Sequence, residues 1–316
     1  MKNLLTVVIP IYNESENIPP LYDRLSKVLD EVSRKYQLKS EIIFVNDGST
    51  DSSIDNIRLL HKRDQRVKLL SFSRNFGHQI AITAGLDYSD GDLVVVMDGD
   101  LQHPPELIPQ LIEQWQAGYE IVYTIRQDTA KASIAKRLTS RLFYKLLQLM
   151  SPVTIPEGGA DFRLMDRKTV AALNSLREKD RFLRGLIPWI GFRQIGVPYS
   201  ADERHAGRSK YSTGKMLRLA VDGILSFSII PLRLSLFLGL LVSLSAFLYA
   251  LYALVVFATG RAMPGWTSIL IVVLILGGLQ MIVLGIVGEY IGRIYLEVKN
   301  RPIYIIRETL GLENNR

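Results

Sequence analysis

The 316-residue sequence has no cysteine, which excludes disulfides and thiolate metal sites. Histidine is scarce, and His61, His78, His103 and His205 lack the clustering of a zinc site. No GxGxxG follows the first apolar strand, so a Rossmann dinucleotide site is not expected. No GxxxxGK[ST] is present either. Ser212-Thr213-Gly214-Lys215 imitates its end without the preceding strand or glycine spacing. The N-terminus runs directly into TVVIP, so no signal peptide is expected. Charge is nearly missing from Ile224 to Gly288 although it is common up to about Arg218. That asymmetry predicts a soluble part followed by a membrane part.

Within the poorly charged region, LSLFLGLLVSLSAFLYALYALVVF (234–257) and SILIVVLILGGLQMIVLGIVG (268–288) are uncharged apolar runs. At 1.5 Å per helical residue each can cross a hydrocarbon core of about 30 Å. The connection ATGRAMPGW carries only Arg261 as a basic residue. The flanks carry Arg204, Arg208, Lys210, Lys215, Arg218 and Arg233 before, and Arg293, Lys299, Arg301 and Arg307 after. The positive-inside rule therefore places both flanks in the cytoplasm. Before the first run, Lys215, Arg218, Asp222 and Ser226 share one helical stripe, opposite Met216, Leu219, Ala220 and Leu225. This pattern suits a helix lying in the membrane interface. Net charge is +7. Because the basic residues gather beside the apolar runs, lipid or phosphate is the expected partner and nucleic acid is not.

In the first half, strand-like TVVIP (6–10), EIIFV (41–45), VKLLSF (67–72), LVVVM (93–97) and EIVYTI (120–125) alternate with helical patterns near 17–36, 51–63, 77–88 and 106–117. Alternation at this spacing predicts βαβ units and a mostly parallel sheet. Ligands of such sheets bind at the carboxyl ends of the strands. The first strand ends in Pro10, Tyr12, Asn13 and Glu14, the second in Asn46 and Asp47, and the fourth in Asp98, Asp100 and Gln102. Paired carboxylates at the end of a buried strand need a positive partner. One reading is a Mg²⁺ or Mn²⁺ ion held by Asp100 with Asp98 or Gln102 and completed by substrate phosphates. The other is that Asp98 and Asp100 cap the helix beginning near Pro104.

VVIPIYNESENI, EIIFVNDGSTDSS, SRNFGHQIAITAGLDYSDGD and VVVMDGDLQHPPELIP resemble, in order and spacing, the inverting GT-A glycosyltransferases of family 2. GGADFRLMDR (158–167), ERHAGRSKYSTGKM (203–216) and the two apolar runs narrow the resemblance. The whole chain is similar to dolichol-phosphate mannosyltransferase-like enzymes of the bacterial type that glycosylate polyprenyl phosphate (bactoprenol glucosyltransferase-like). That resemblance implies an α/β fold with a Rossmann-like, mostly parallel sheet in a GT-A catalytic domain (1–212) on the cytoplasmic face. A juxtamembrane amphipathic helix (213–230), a transmembrane hairpin (231–291) and a cytoplasmic tail (292–316) would follow. It implies a nucleotide-sugar bound by Pro10, Tyr12, Asn13, Glu14, Asn46, Asp47, Asp98 and Gln102, and Mg²⁺ or Mn²⁺ held by Asp98, Asp100 and Gln102. It implies Asp161 as catalytic base. Arg126, Arg137 and Arg141 match an acceptor loop, and Arg204, Arg208, Ser209, Lys210 and Tyr211 match a basic motif facing phosphates. Arg208 and Lys210 also suit plain contact with anionic headgroups.

The expected reaction moves a sugar onto undecaprenyl phosphate at the cell membrane. UDP-glucose is the expected donor of the bacterial subgroup; GDP-mannose or a UDP-linked modified sugar are its alternatives. A homo-oligomer, of tetramer size, is expected by the same resemblance. The phosphate acceptor has a second pKa near 6 and needs little deprotonation, so Asp161 is expected to position at least as much as to accept a proton. Arg163 and Arg167 read as salt-bridge partners of Asp161, and His78 and His103 as structural histidines. Glu289 and Arg293 are spaced to pair along a helix. Rival classes fit less well. A haloacid-dehalogenase-type phosphohydrolase needs a different residue after DxD, and a processive polysaccharide synthase needs QxxRW and more spans. A membrane-anchored scaffold that binds nucleotide-sugar without catalysis would not need Asp98, Asp100, Asp161 and the basic motif together.

Overall fold

The structure, a computed structural model, describes residues 3–127, 159–179, 181–200, 228–259 and 265–312. The chain divides into two compact units, one of residues 1–149, 153–220 and 302–316, the other of 150–152 and 221–301.

The first unit is built on an eight-stranded sheet. Strands β1 (Leu4–Ile11), β2 (Lys39–Asn46), β3 (Val67–Phe72) and β4 (Leu93–Val96) are parallel, as the βαβ spacing predicts. They are buried almost end to end, which is the burial expected of strands covered on both faces. Helices α1 (Ile18–Tyr36), α2 (Ser53–Arg63), α3 (His78–Tyr88) and α4 (Ile108–Gln116) intervene. In α1, Ile18, Leu21, Leu25, Val28, Leu29 and Val32 form one buried stripe at helical spacing. Prolines in its first turn start it and a left-handed Gln37 ends it.

The remaining strands break the parallel pattern. Strand β6 (Gly159–Asp166) is inserted antiparallel between β4 and β5 (Ile121–Arg126), while β7 (Gln194–Tyr199) runs parallel to β5. The final strand, β8 (Ile306–Leu310), lies antiparallel on β3 and closes the order β7-β5-β6-β4-β1-β2-β3-β8. Residues 292–316, expected as a tail, thus include a strand of the catalytic sheet. Two short helices, α5 (Arg167–Ser175) and α6 (Leu183–Trp189), follow β6.

The second unit contains α7 (Ile230–Ala258) and α8 (Trp266–Val298). Both are long and apolar enough to cross a membrane, and their apolar side chains are left exposed. At 1.5 Å per residue α8 is about 50 Å long, beyond what a hydrocarbon core needs. Its last turns carry Glu289 and Arg293, paired at 3.5 Å as their spacing predicts. Most of the expected interfacial helix, residues 213–227, lies outside the described residues.

Candidate active site

The loops at the carboxyl ends of β1 and β2 brace each other. Asn13, at φ 54°, donates its N–H to Ser49 Oγ at 2.9 Å and accepts from the Thr50 N–H at 2.8 Å. The Glu14 N–H reaches Ser53 Oγ at 3.1 Å. Asn46 is fully buried; its amide donates to Ser71 Oγ at 2.9 Å and its carbonyl accepts from the Ser49 N–H at 3.1 Å. Asp47 Oδ1 accepts the Phe76 N–H at 2.6 Å, and Oδ2 accepts the Gly77 N–H at 3.0 Å. Burial pushes the Asp47 carboxyl up, although these two N–H groups pull the other way. Asp47 therefore holds the loop that leads into α3, while Asn46 ties the end of β2 to β3. Pro10 is buried within β1, and Tyr12, just past its end, is 38% exposed.

The pairing of β4 with β6 assembles the centre of the site. Val96 lies opposite Arg163 in the antiparallel register. Two residues beyond Val96 is Asp98; two residues before Arg163 is Asp161. An antiparallel ladder thus brings these carboxylates to one end of the sheet. A positive φ of 65° at Leu101 turns the chain back after Asp100, whose Oδ1 accepts the Gln102 N–H at 3.1 Å. The His103 ring stacks on Phe162 with centroids 5.2 Å apart, and its Nδ1 accepts the Asp98 N–H at 2.9 Å. His103 is the structural histidine expected.

His78 departs from that expectation. From the first turn of α3, its Nε2 reaches Asp98 Oδ1 at 2.9 Å. Partial burial disfavours the imidazolium, but the Asp98 hydrogen bond and the charges of Asp98 and Asp161 outweigh it and push His78 up to about 9. Burial raises Asp98, and the hydrogen bond and positive charge of His78 oppose this, leaving its carboxyl below the usual range. Burial, with Asp98 and Asp100 nearby, pushes the Tyr199 phenol up to about 12 against the opposing charge of Arg126. Tyr199 and Arg126, at the ends of β7 and β5, therefore border the same cluster.

Asp161 is buried and doubly held. Arg184 grips it with both arms, Nε to Oδ1 at 3.0 Å and Nη2 to Oδ2 at 2.9 Å. Arg163 Nη2 adds a contact to Oδ1 at 3.3 Å. Burial opposes the Asp161 charge, but the two guanidinium groups overcome it and hold the carboxyl well below the usual carboxylate range. Arg163 is the partner expected from sequence. Arg167 is not: its Nη1 donates to the Ser89 carbonyl at 2.6 Å. Arg184 was missed, because its link to Asp161 is made by the docking of α6 and leaves no trace in local spacing. Arg137, Arg141, Arg204, Arg208, Ser209, Lys210 and Tyr211 lie outside the described residues.

Among the described residues, no three His, Cys, Asp or Glu side chains are grouped closely enough to cage a cation. Asp98 and Asp100 nonetheless present hard oxygen donors one residue apart. Such a pair fits Mg²⁺ or Mn²⁺ when phosphate oxygens and water complete the coordination. A cation at Asp98 must share that carboxylate with His78 or displace it.

Residues 6–173 match Glycosyl transferase family 2. The chain is 47% identical over 312 residues to the glycosyltransferase YkcC of Bacillus subtilis (strain 168), covering 98% of this chain and 95% of that protein. It is 43% identical over 306 residues to the SfII prophage-derived bactoprenol glucosyl transferase of Shigella flexneri, covering 96% and 98%. Among solved structures, glucosyl-3-phosphoglycerate synthase from Mycobacterium tuberculosis is similar at a TM-score of 0.49 and 21% identity, over 71% of this chain and 79% of that one. With its mostly parallel sheet and acidic strand ends, and with relatives matched almost end to end, the chain belongs to glycosyl transferase family 2.

Proposed function

We propose that this glycosyltransferase moves a glucosyl group from UDP-glucose to polyprenyl phosphate at the cytoplasmic face of the cell membrane, as a homo-oligomer. The observation that carries the proposal is the match to a bactoprenol glucosyl transferase over 96% of this chain and 98% of that protein. Catalytic unit and apolar hairpin are included together, so the acceptor as well as the chemistry is supported. Tyr12 and the braced loops of β1 and β2 receive the nucleotide. Asp98, Asp100 and Gln102 would hold a divalent cation. The cation, when bound, supplies Lewis-acid stabilisation of the departing diphosphate.

The acceptor phosphate brings further negative charge, which cationic side chains must offset. Arg126, at the end of β5, takes part in that role, and Arg137, Arg141, Arg204, Arg208, Ser209, Lys210 and Tyr211 complete it on sequence grounds. A phosphate monoester is mostly dianionic at neutral pH, so its oxygen attacks the anomeric carbon with little need of a base. The apolar hairpin anchors the enzyme in the membrane, where a long polyprenyl tail stays.

The test is transfer of labelled glucose from UDP-glucose to undecaprenyl phosphate by detergent-solubilised protein, read after organic extraction. Lipid-linked label that disappears with chelator and with Asp100→Asn supports the proposal. No transfer from UDP-glucose, alongside transfer from GDP-mannose or another UDP-sugar, would overturn the donor. Silence across a donor panel would overturn the reaction.

A further inference from the structure

Two guanidinium groups surround one carboxylate at the floor of the site. Arg163 is buried, and its Nη2 is divided between Asp161 and the Ala160 carbonyl at 2.9 Å. Arg184 differs: it holds Asp161 through Nε and Nη2, yet its side chain stays 34% exposed while that of Asp161 is 9% exposed. Asp161 has three charge-assisted contacts on its two oxygens. An oxygen so engaged is a poor proton acceptor and a good anchor. Two arginines thus share one carboxylate, and of the two it is Arg184 that reaches the open side of the site. A guanidinium fixed in orientation and still partly exposed is suited to a phosphate oxygen.

We propose that Arg184 binds the phosphate group of the acceptor, and that Asp161 is a positioning residue that fixes the Arg184 guanidinium in place. The inference rests on the polyprenyl-phosphate reading above. It replaces a base role for Asp161 by an electrostatic one. It also accounts for a carboxylate that two arginines hold charged, where a base would need its oxygens available.

The two phosphate sources, acceptor and donor diphosphate, are separated by measuring each. In detergent, the KM for undecaprenyl phosphate is determined at saturating UDP-glucose, and UDP affinity is measured by calorimetry with Mn²⁺. Arg184→Gln is expected to raise the acceptor KM about ten- to a hundredfold, the worth of one or two charge-assisted contacts, with UDP affinity within about twofold. Arg184→Lys, which keeps the charge and loses the fork, is expected to recover part of that loss. Asp161→Asn combined with Arg184→Gln is expected to be little worse than Arg184→Gln alone, because one acts through the other. Arg184→Gln alone leaves the buried Arg163–Asp161 pair balanced in charge, so it guards against simple misfolding.

An unchanged acceptor KM in Arg184→Gln overturns the proposal. So does an equal loss of UDP affinity, which would move Arg184 to the donor, or additive losses in the double variant, which would return an independent role to Asp161. If the wild-type protein transfers sugar to no polyprenyl phosphate, the functional reading fails first and takes this inference with it. Transfer by the wild type with any of the three adverse results fails the inference alone.

Discussion

His78 and Asp161 show how a neighbour decides what an ionisable side chain does. The His78 imidazolium is stabilised by Asp98, with its folded-state value raised to about 9 from the usual 6.5. A raised value means the interaction contributes fully below about 6.5 and is lost as pH rises through about 9. In chelator and without donor, His78→Gln is therefore expected to lower the thermal midpoint at pH 6.5. The gap between variant and wild type should narrow by pH 9.5; a constant gap across that range contradicts the Asp98 pairing. Asp161 has the opposite sign. Its folded-state value is lowered, so its contribution is present above the ordinary carboxylate range and is lost only in strong acid. It stays ionised from pH 6 to 8.5, and Asp161→Asn is expected to lose activity equally at both ends of that window. Recovery at pH 8.5 would instead identify a base. Breaking this buried pairing should also cost about 3 kcal/mol in denaturant unfolding.

At the scale of elements, two connections hold the side of the site proposed to take the donor. The β2–α2 loop passes Gly48 at φ +70°, where an added Cβ would meet the Arg74 carbonyl carbon at 2.5 Å. Gly48→Ala is expected to destabilise by about 1–3 kcal/mol, through both the left-handed backbone and the clash. UDP affinity should fall with it, because Asp47 and the 74–77 loop move together. The second connection is β8. Tyr304, just before it, stacks on Phe72 with centroids 5.3 Å apart and donates its hydroxyl to Asp87 at 2.9 Å. Arg58 meets Glu308 at 2.7 Å. Phe72 in turn meets Phe76 edge-on at 5.5 Å, beside the N–H that Asp47 accepts. Tyr304→Phe keeps the stack and removes a part-buried hydrogen bond, so a loss of about 1 kcal/mol in chemical denaturation is expected.

For the whole molecule, the positive-inside arrangement predicts that the 258–266 connection faces away from the catalytic unit's compartment. The absence of cysteine makes this directly testable. Ala262→Cys should be labelled in intact cells by an impermeant maleimide, and Ser15→Cys only after permeabilisation. Equal labelling of both would remove the hairpin topology. Both helices should also keep the protein in the membrane fraction after alkaline carbonate extraction.

The alternation of β-branched runs with amphipathic patterns determined the four parallel strands and their helices, because burial on both faces demands near-continuous apolar strands. Apolar length likewise determined α7 and α8, and the motifs determined the family. Strand β8 was not legible: IRETL is short and half polar, and it becomes a strand only because β3 offers an open edge. Nor was the centre of the site. The sequence holds Asp98, Asp161, His78 and Arg184 as separate residues. Only the antiparallel insertion of β6 beside β4, and the docking of α3 and α6 around it, make them one charged cluster. Local pattern records what each segment must bury; which charges then meet is decided by contacts distant in the chain.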